Sequence, residues 1–220
     1  MLPRRLEPEV MDDTQEAVAY EAMDHSEPNA AFIERLMELG AAGRMLDVGT
    51  GPGHIPALLC PRIASSRIVA LDHAMAMLEL ARRRVLQAGL ARRVWLVRGD
   101  AKAMPFAAGC FDAVFSNTIL HHLAQPQRLL TEAWRVLRPG GVLLIRDLMR
   151  PVDAAQLESL VQRHAAGADA SQRSMFRDSL HAALRPDELE RLAHEAGLRG
   201  AEVVIDSDRH VSVQCRHRPR

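Results

Sequence analysis

The chain is short of aromatic residues, of cysteine and of any surplus of charge, and each shortage excludes something. Aromatics make up only 4% of the 220 residues, with a single tyrosine, Tyr20. No lysine stands four positions after it, so the Tyr-x-x-x-Lys pair of many nicotinamide dehydrogenases is absent. The three cysteines, Cys60, Cys110 and Cys215, are odd in number and far apart. They fit neither a disulfide framework nor a Cys-x-x-Cys metal site, and a reducing cytoplasm is the expected setting. Basic and acidic residues balance at 28 each, which gives no global pull toward nucleic acid or an anionic membrane. The basic run Arg216-His217-Arg218-Pro219-Arg220 is short and terminal, and is expected to be a solvated tail. No apolar run approaches the ~20 residues of a membrane span. Two arginines near the start are followed by no apolar stretch, so no signal peptide is expected. Internal repeats and low-complexity segments are also missing. What remains is a length suited to one domain with a real core.

The organising stretch is Met45 to Gly53, M-L-D-V-G-T-G-P-G. Met45, Leu46 and Val48 read as a buried strand that runs into a glycine-rich turn, and His54 to Leu59 read as the start of a helix. Glycines at 49, 51 and 53 allow sharp turning and close approach of a ligand. Strand, glycine turn and helix N-terminus together form the nucleotide-cradling corner of open α/β sheets. Asp47 lies inside the apolar strand, where a carboxylate is costly unless hydrogen-bonded. It is expected either to accept backbone N–H bonds from the turn or to meet a cationic ligand through water. A dinucleotide G-x-G-x-x-G would need glycine at 54, and His54 is there instead.

Taken in order, Thr14–Met23 and Asn29–Leu39 read as two helical pieces broken at Ser26-Glu27-Pro28. The pair is expected to pack across the sheet edge, with Tyr20 placed to close over a ligand. Arg67–Leu71 is a second strand ending at Asp72, 21 positions after Gly51. A carboxylate there can accept from both hydroxyls of a ribose. Met75–Ala88 has the period of a helix, stopped by Gly89. Met77 is placed to lie on a purine ring or in the core. Arg93–Val97 is a third strand, followed by Asp100, which can accept from an exocyclic amine or cap a turn. Phe111–Ser116 is a fourth strand leading to Asn117 and the pair His121-His122. Gln127–Leu137 is an amphipathic helix, and Val142–Ile145 a fifth strand running into Arg146-Asp147. Residues 150–185 break this rhythm with two helical stretches, Ala154–Ala166 and Ser174–Ala183. Pro186 opens a last helix, and Ala201–Ile205 and His210–Cys215 read as an antiparallel hairpin. Four βα units in a row predict an α/β, doubly wound, mainly parallel seven-stranded sheet with an antiparallel last strand. Its ligand belongs outside the strand C-termini, at the switch point.

Five segments in this order resemble the class I S-adenosylmethionine-dependent methyltransferases, in the small-molecule branch related to the ubiquinone/menaquinone-type enzymes. They are M-L-D-V-G-T-G-P-G, the D-H-A-M-A-M from Asp72, G-D-A-K-A-M-P-F from Gly99, F-D-A-V-F-S-N-T-I-L-H-H-L from Phe111 and E-A-W-R-V-L-R-P-G-G-V-L-L-I from Glu132. The likeness is close over about residues 40–148. It departs at His73 and Ala74, where the family often has Leu or Ala and Ser, and at Arg146-Asp147, a variable place that often meets substrate.

The resemblance implies S-adenosyl-L-methionine as cofactor and a small-molecule acceptor. It implies that Gly49, Gly51 and Gly53 approach the homocysteine part, while Asp47 orders the turn and reaches the methionine ammonium through water. Asp72 would hold the ribose, with His73 and Met77 beside the adenine. Asp100 and Ala101 would meet the adenine, and Asn117 would contribute near the methionine part. Transfer is an in-line displacement whose main requirement is alignment. A general base is needed only for a protonated nucleophile. The candidates are His121, His122 and Asp147, with His210 further off, and each has a structural reading beside the catalytic one. No proline or aromatic follows Asn117, as the nucleic-acid-base aminomethylases would have, so no nucleic acid is expected. No metal is expected, and scattered cysteines do not suit arsenic as acceptor. The implied organisation is a single domain, residues 1–220. It comprises an N-terminal helical cap (1–40), a cofactor-binding core (41–148), a helical substrate-side insertion (149–185) and a C-terminal helix with hairpin (186–220). The competing readings are a non-catalytic S-adenosylmethionine or S-adenosylhomocysteine-binding module or partner subunit, and an NAD-dependent oxidoreductase. Arg146, Arg150, Arg177 and Arg209 are read as solvated surface ahead of anion-binding groups.

Overall fold

The structure, a computed structural model, describes residues 1–7, Glu21 and residues 26–216. Tyr20 and, apart from Glu21, the expected helix Thr14–Met23 lie outside these residues. Seven strands form one sheet: β1 (Arg44–Val48), β2 (Arg67–Asp72), β3 (Val94–Arg98), β4 (Phe111–Asn117), β5 (Leu137–Leu148), β6 (Glu202–Ile205) and β7 (His210–Arg216). Their order is β3-β2-β1-β4-β5-β7-β6. β1 to β5 are parallel, and β7 runs antiparallel to both β5 and β6. The chain leaves β1 in one direction to build β2 and β3, then returns to lay β4 on the other side of β1. That reversal opens a crevice at the C-terminal ends of β1 and β4.

Helices cover both faces because the strands are apolar on both. Alternation along each strand sorts the side chains. Met45, Ala113, Phe115, Val142 and Leu144 face a core made with α1 (Ser26–Glu38) and α2 (His54–Arg62), to which α3 (Met75–Gln87) adds Val85. Leu46, Val48, Val114, Leu143 and Ile145 face the opposite core, built with α4 (Pro126–Val136) and α7 (Pro186–Glu195). Helices α5 (Ala154–His164) and α6 (Ala170–Ala182) make a third, smaller core. Leu157, Leu160, Val161 and Leu180 pack there on Leu148, and Leu2 arrives from the N-terminal segment.

Four expectations change. Ser26-Glu27-Pro28 is no break but the first turn of α1, where proline's missing N–H has no partner to lose. No helix joins β3 to β4; residues 99–110 form turns with an Asp100–Ala103 bridge, so there are three helical crossovers and one compact loop. α4 passes directly into β5, which takes up Arg138-Pro139-Gly140-Gly141 through a register shift opposite Phe111 to Ala113. α6 also starts earlier than periodicity suggested, because Asp169 caps it and Gln172 completes a capping box.

One buried side chain fixes α1 over the crevice. Arg146 on β5 is only 5% exposed, so it is not solvated surface. It donates from Nε to Asn117 Oδ1 (3.0 Å) and from a terminal nitrogen to the Pro28 carbonyl (2.6 Å). Its guanidinium lies 4.9 Å from the centre of the Phe32 ring. Burial, against the pull of Asp206, lowers its pKa to about 10, which leaves it charged at neutral pH. Replacing it, as in Arg146→Ala, removes both charge-assisted bonds and the packing of the stem. The expected loss is about 2–4 kcal/mol of unfolding free energy, read from urea denaturation at neutral pH.

Candidate functional site

The glycine turn is held by its neighbours on β2. The N–H groups of Gly49 and Thr50 both donate to the Leu71 carbonyl, at 2.8 and 2.9 Å, which extends the β1–β2 ladder into the turn. Gly51 N–H donates to Asp72 Oδ2 at 2.8 Å, and Ala74 N–H to Asp72 Oδ1 at 2.9 Å. Gly51 sits at φ 53°, and a Cβ built there would meet no atom within 4 Å, so the turn presents open backbone to the crevice. Gly53 does something else. Its φ is 77°, and its Cβ would lie 3.1 Å from Ala81 Cβ, so glycine there lets α2 approach α3. It does not line the cavity.

Asp47 does not hold the turn through backbone N–H bonds. It accepts from the Thr50 hydroxyl at 2.7 Å, and Asp72 is the carboxylate that ties the backbone. Asp47 is 1% exposed. Burial raises its pKa to about 7, the Thr50 bond opposing and the charge of Asp72 adding to the rise. Burial also raises the pKa of Asp72, against its bonds from Ala74, Gly51 and His73. A buried carboxylate with so little compensation favours a cation beside it.

These groups open on a cavity of about 850 Å³. Asp47, Gly49, Gly51, Asp72, His73, Met77, Asp100, Ala101 and Asn117 all line it, as do His121 and His122. Asp100 stands at a more open part of the wall. It accepts from Lys102 N–H (2.8 Å) and pairs with Lys102 Nζ (3.2 Å); these outweigh burial and lower its pKa. Met77 is 5% exposed and packs with Ala74 and Leu80 at the wall. The Asn117 side chain donates to Asn29 and accepts from Arg146, while its carbonyl accepts the Thr118 hydroxyl at 2.7 Å. Thr118 is the only non-glycine among the described residues with positive φ, 62°. A β-branched residue is disfavoured there.

Beyond Thr118 a 3₁₀ turn, Leu120–His122, carries the two histidines. His121 is buried and anchored by Asp147, which accepts from its N–H (3.0 Å) and meets its Nδ1 (2.5 Å). Burial disfavours the charged ring, but the charge and hydrogen bond of Asp147, with Glu7, prevail and raise its pKa. The same pairing overcomes burial at Asp147 and lowers its pKa. Asp147 does not line the cavity; it acts on it through His121. His210 does line it, with a pKa lowered to about 3 by burial and by Arg146 and Arg209, so it is neutral at pH 7.

The far wall is apolar, with Leu148, Ala165, Ala168, Met175 and Phe176 drawn from β5, α6 and the α5–α6 turn. The four arginines divide. Arg150 is buried and paired with Glu188 at 2.6 Å. Arg177 is on the surface with Glu158. Arg146 and Arg209 line the cavity, Arg209 over the Phe176 ring at 5.8 Å. Glu7, Asn29 and Thr118 also line it and were not singled out from the sequence: Glu7 stands in an unpatterned stretch, and Asn29 and Thr118 are uncharged polar residues inside an expected helix and a strand-to-turn segment.

Asp47 generates a test of stability. Its folded pKa of about 7 lies above the unfolded ~3.9, so its contribution is present below pH 4 and is lost as pH rises through 7. Asp47→Asn has no such loss. The variant is expected to gain on the parent by up to about 4 kcal/mol between pH 4 and 7, measured by urea unfolding across that range.

Comparison with known proteins agrees with this geometry. Residues 46–145 match the family described as Methyltransferase domain. A malonyl-[acyl-carrier protein] O-methyltransferase of Legionella pneumophila is 37% identical over 123 residues, 56% of this chain and 42% of the relative. A demethylmenaquinone methyltransferase of Thermus thermophilus is 36% identical over 115 residues, 52% of this chain and 51% of the relative. The chain thus spans about half the length of the curated relatives it matches. A SAM-dependent methyltransferase of Aquifex aeolicus is similar in fold, with a TM-score of 0.67 at 20% identity, covering 92% of this chain and 97% of that one. With the β3-β2-β1-β4-β5-β7-β6 sheet, the glycine corner and the matched segment in place, residues 46–145 form a methyltransferase domain similar to those of the class I S-adenosyl-L-methionine-dependent methyltransferases, the ubiquinone/menaquinone-type enzymes among them.

Proposed function

We propose that this chain moves a methyl group from S-adenosyl-L-methionine to a small-molecule acceptor with an apolar body, by in-line displacement. The observation that carries the reading is one continuous cavity. It runs from a glycine corner with three carboxylates, Asp47, Asp72 and Asp100, to an apolar wall on α6 and the α5–α6 turn. The residues fit the cofactor: open backbone at Gly51 for close approach, a carboxylate at the end of β2 for hydroxyls, and a buried carboxylate suited to a cation. S-adenosyl-L-methionine supplies, when bound, a methyl group already activated on a sulfonium.

The chain's own part is then alignment and exclusion of water. Gly49 and Gly51 let the backbone approach, with Gly53 serving the α2–α3 contact behind them. Asp72 accepts from ribose hydroxyls with the lone pairs not used by Gly51 and Ala74. Asp47 faces the cationic methionine part, with Thr50 between. Met77 and His73 flank the adenine, Asp100 and Ala101 meet its edge, and Asn117 shapes the wall near the methionine part. The acceptor occupies the space under α5 and α6, so residues 149–185 act as a substrate-side cap and the α1 side of residues 1–40 closes the other flank. The relatives' names, a demethylmenaquinone methyltransferase and a malonyl-[acyl-carrier protein] O-methyltransferase, favour an organic acceptor with an apolar part. The segment after Asn117 lacks the stacking aromatic of base methylation, and balanced charge gives a nucleic acid no hold. A cytoplasmic setting suits thiols at Cys60, Cys110 and Cys215.

Calorimetric titration with S-adenosylmethionine, S-adenosylhomocysteine and NAD tests this. The first two are expected to bind and NAD not. Asp72→Ala is expected to weaken binding by about 30- to 100-fold through loss of charge-assisted bonds. Binding of NAD alone would overturn the reading. Binding without methylation of any acceptor in a panel of quinols and carboxylic acids would make the chain a binding module. A cation beside Asp47 favours its ionised form, so affinity for S-adenosylmethionine should fall as pH drops through about 7, and Asp47→Asn should flatten that profile.

A further inference from the structure

The cavity wall holds a group of donors that methyl transfer does not require. Glu7, His121 and His122 each offer one ligand atom, and the three atoms lie within 4.8 Å of one another. Glu7 is not there by chance of a loose terminus. Leu2 N–H donates to the Val152 carbonyl and Arg5 N–H to the His181 carbonyl. The Arg4 guanidinium donates to the carbonyls of Ala182 (2.6 Å), Leu123 (3.1 Å) and His121 (3.4 Å). This anchored strap delivers the Glu7 carboxylate into the wall, where Oε1 is buried and has no hydrogen-bond partner. His121 Nε2 is 3.6 Å away from it.

Asp147 prepares His121 for a metal. Its contacts with the His121 N–H, the Leu148 N–H and Nδ1 lock both groups. A proton held on Nδ1 leaves the Nε2 lone pair directed toward Glu7. A carboxylate behind a histidine is the usual outer support of a metal-bound imidazole. Two ligands on a tetrahedral zinc at ~2.0–2.1 Å stand about 3.4 Å apart. The 3.6 Å contact is close to this, and the remaining spread closes with a side-chain shift of about an ångström. Two nitrogens and one carboxylate suit zinc or another borderline divalent ion, while magnesium and calcium prefer oxygen throughout.

We propose that Glu7, His121 and His122 form a three-ligand site for a zinc-class divalent cation, with Asp147 as the positioning residue behind His121. All three ligands line the cavity, so the fourth position faces it and is open to an oxygen of water or of the acceptor. The site lies outside the glycine corner, and its occupancy is read without cofactor or acceptor, so it stands or falls apart from the methyl-transfer reading. The sequence gives no hint of it, because Glu7 and the histidine pair are far apart in the chain.

The test is titration of the chelator-treated full chain with cobalt chloride, followed by visible d–d absorption, and with zinc by calorimetry. One ion per chain is expected, with tetrahedral-type cobalt bands. Glu7→Gln and His122→Gln are each expected to weaken binding at least 10-fold, and Asp147→Asn by about 10- to 100-fold. His194→Gln, at an exposed position of α7, should change nothing. Circular dichroism melts select the variants that fold, and two independent ligand variants keep the test decisive if one does not. Absence of stoichiometric binding would overturn the proposal. So would binding that survives both ligand variants, or a thiolate charge-transfer band pointing to cysteine.

Discussion

The contact on which the site depends is the one between Asp72 and the glycine turn. A turn with three glycines has more freedom to lose than any other stretch of its length. Asp72 removes that freedom by accepting from Gly51 on one oxygen and Ala74 on the other. It thereby fixes the ends of β1 and β2 to each other where the sheet stops supplying ladder bonds. The Leu71 carbonyl, accepting from both Gly49 and Thr50, works in the same place. A carboxylate that would serve a ligand is therefore also part of the fold. Removing it loosens the turn and the ligand contact together.

Burial shapes the chemistry of the cavity as much as the choice of residues does. Asp47, Asp72 and Glu7 are all pushed upward in pKa by desolvation, while Arg146, Arg209 and His210 are pushed downward by it. Burial thus works against the charged form of each of these groups. The His121–Asp147 pair escapes, because each partner supplies what the other lacks, and Asp100 escapes through Lys102. A ligand that brings a positive charge to the glycine corner relieves part of this penalty.

Much of the fold was legible because its signals are local. The apolar strands, the Gly89 stop of α3 and the Pro186 start of α7 each follow from residues within one turn of the feature. The β3–β4 connection was misread because turn chemistry in A-K-A-M-P-F has no strong period, and tertiary packing of Phe106 on Phe111 holds it instead. In the site, Asp47, Asp72 and Asp100 could be named because they lie at or within two residues of strand ends, and strand ends can be counted. Arg146 and Arg150 looked like surface because a charged residue gives no sign that its partners, Asn117 and Glu188, lie on other elements. Glu7 was invisible for the same reason, carried by a segment whose position comes from Leu2, Arg4 and Arg5 meeting distant parts of the chain.

Thr118 adds a consequence of another kind. A β-branched residue at φ 62° costs on the order of 1–3 kcal/mol, and persists only where its surroundings over-determine it. Here the constraints are its N–H on the Arg146 carbonyl and its hydroxyl on the Asn117 carbonyl. The same bonds fix the direction in which the chain leaves β4 and enters the histidine turn. Two imidazoles that would otherwise sample several orientations are set in place when the protein folds. A guest entering the cavity meets an already assembled wall and loses little affinity to ordering it.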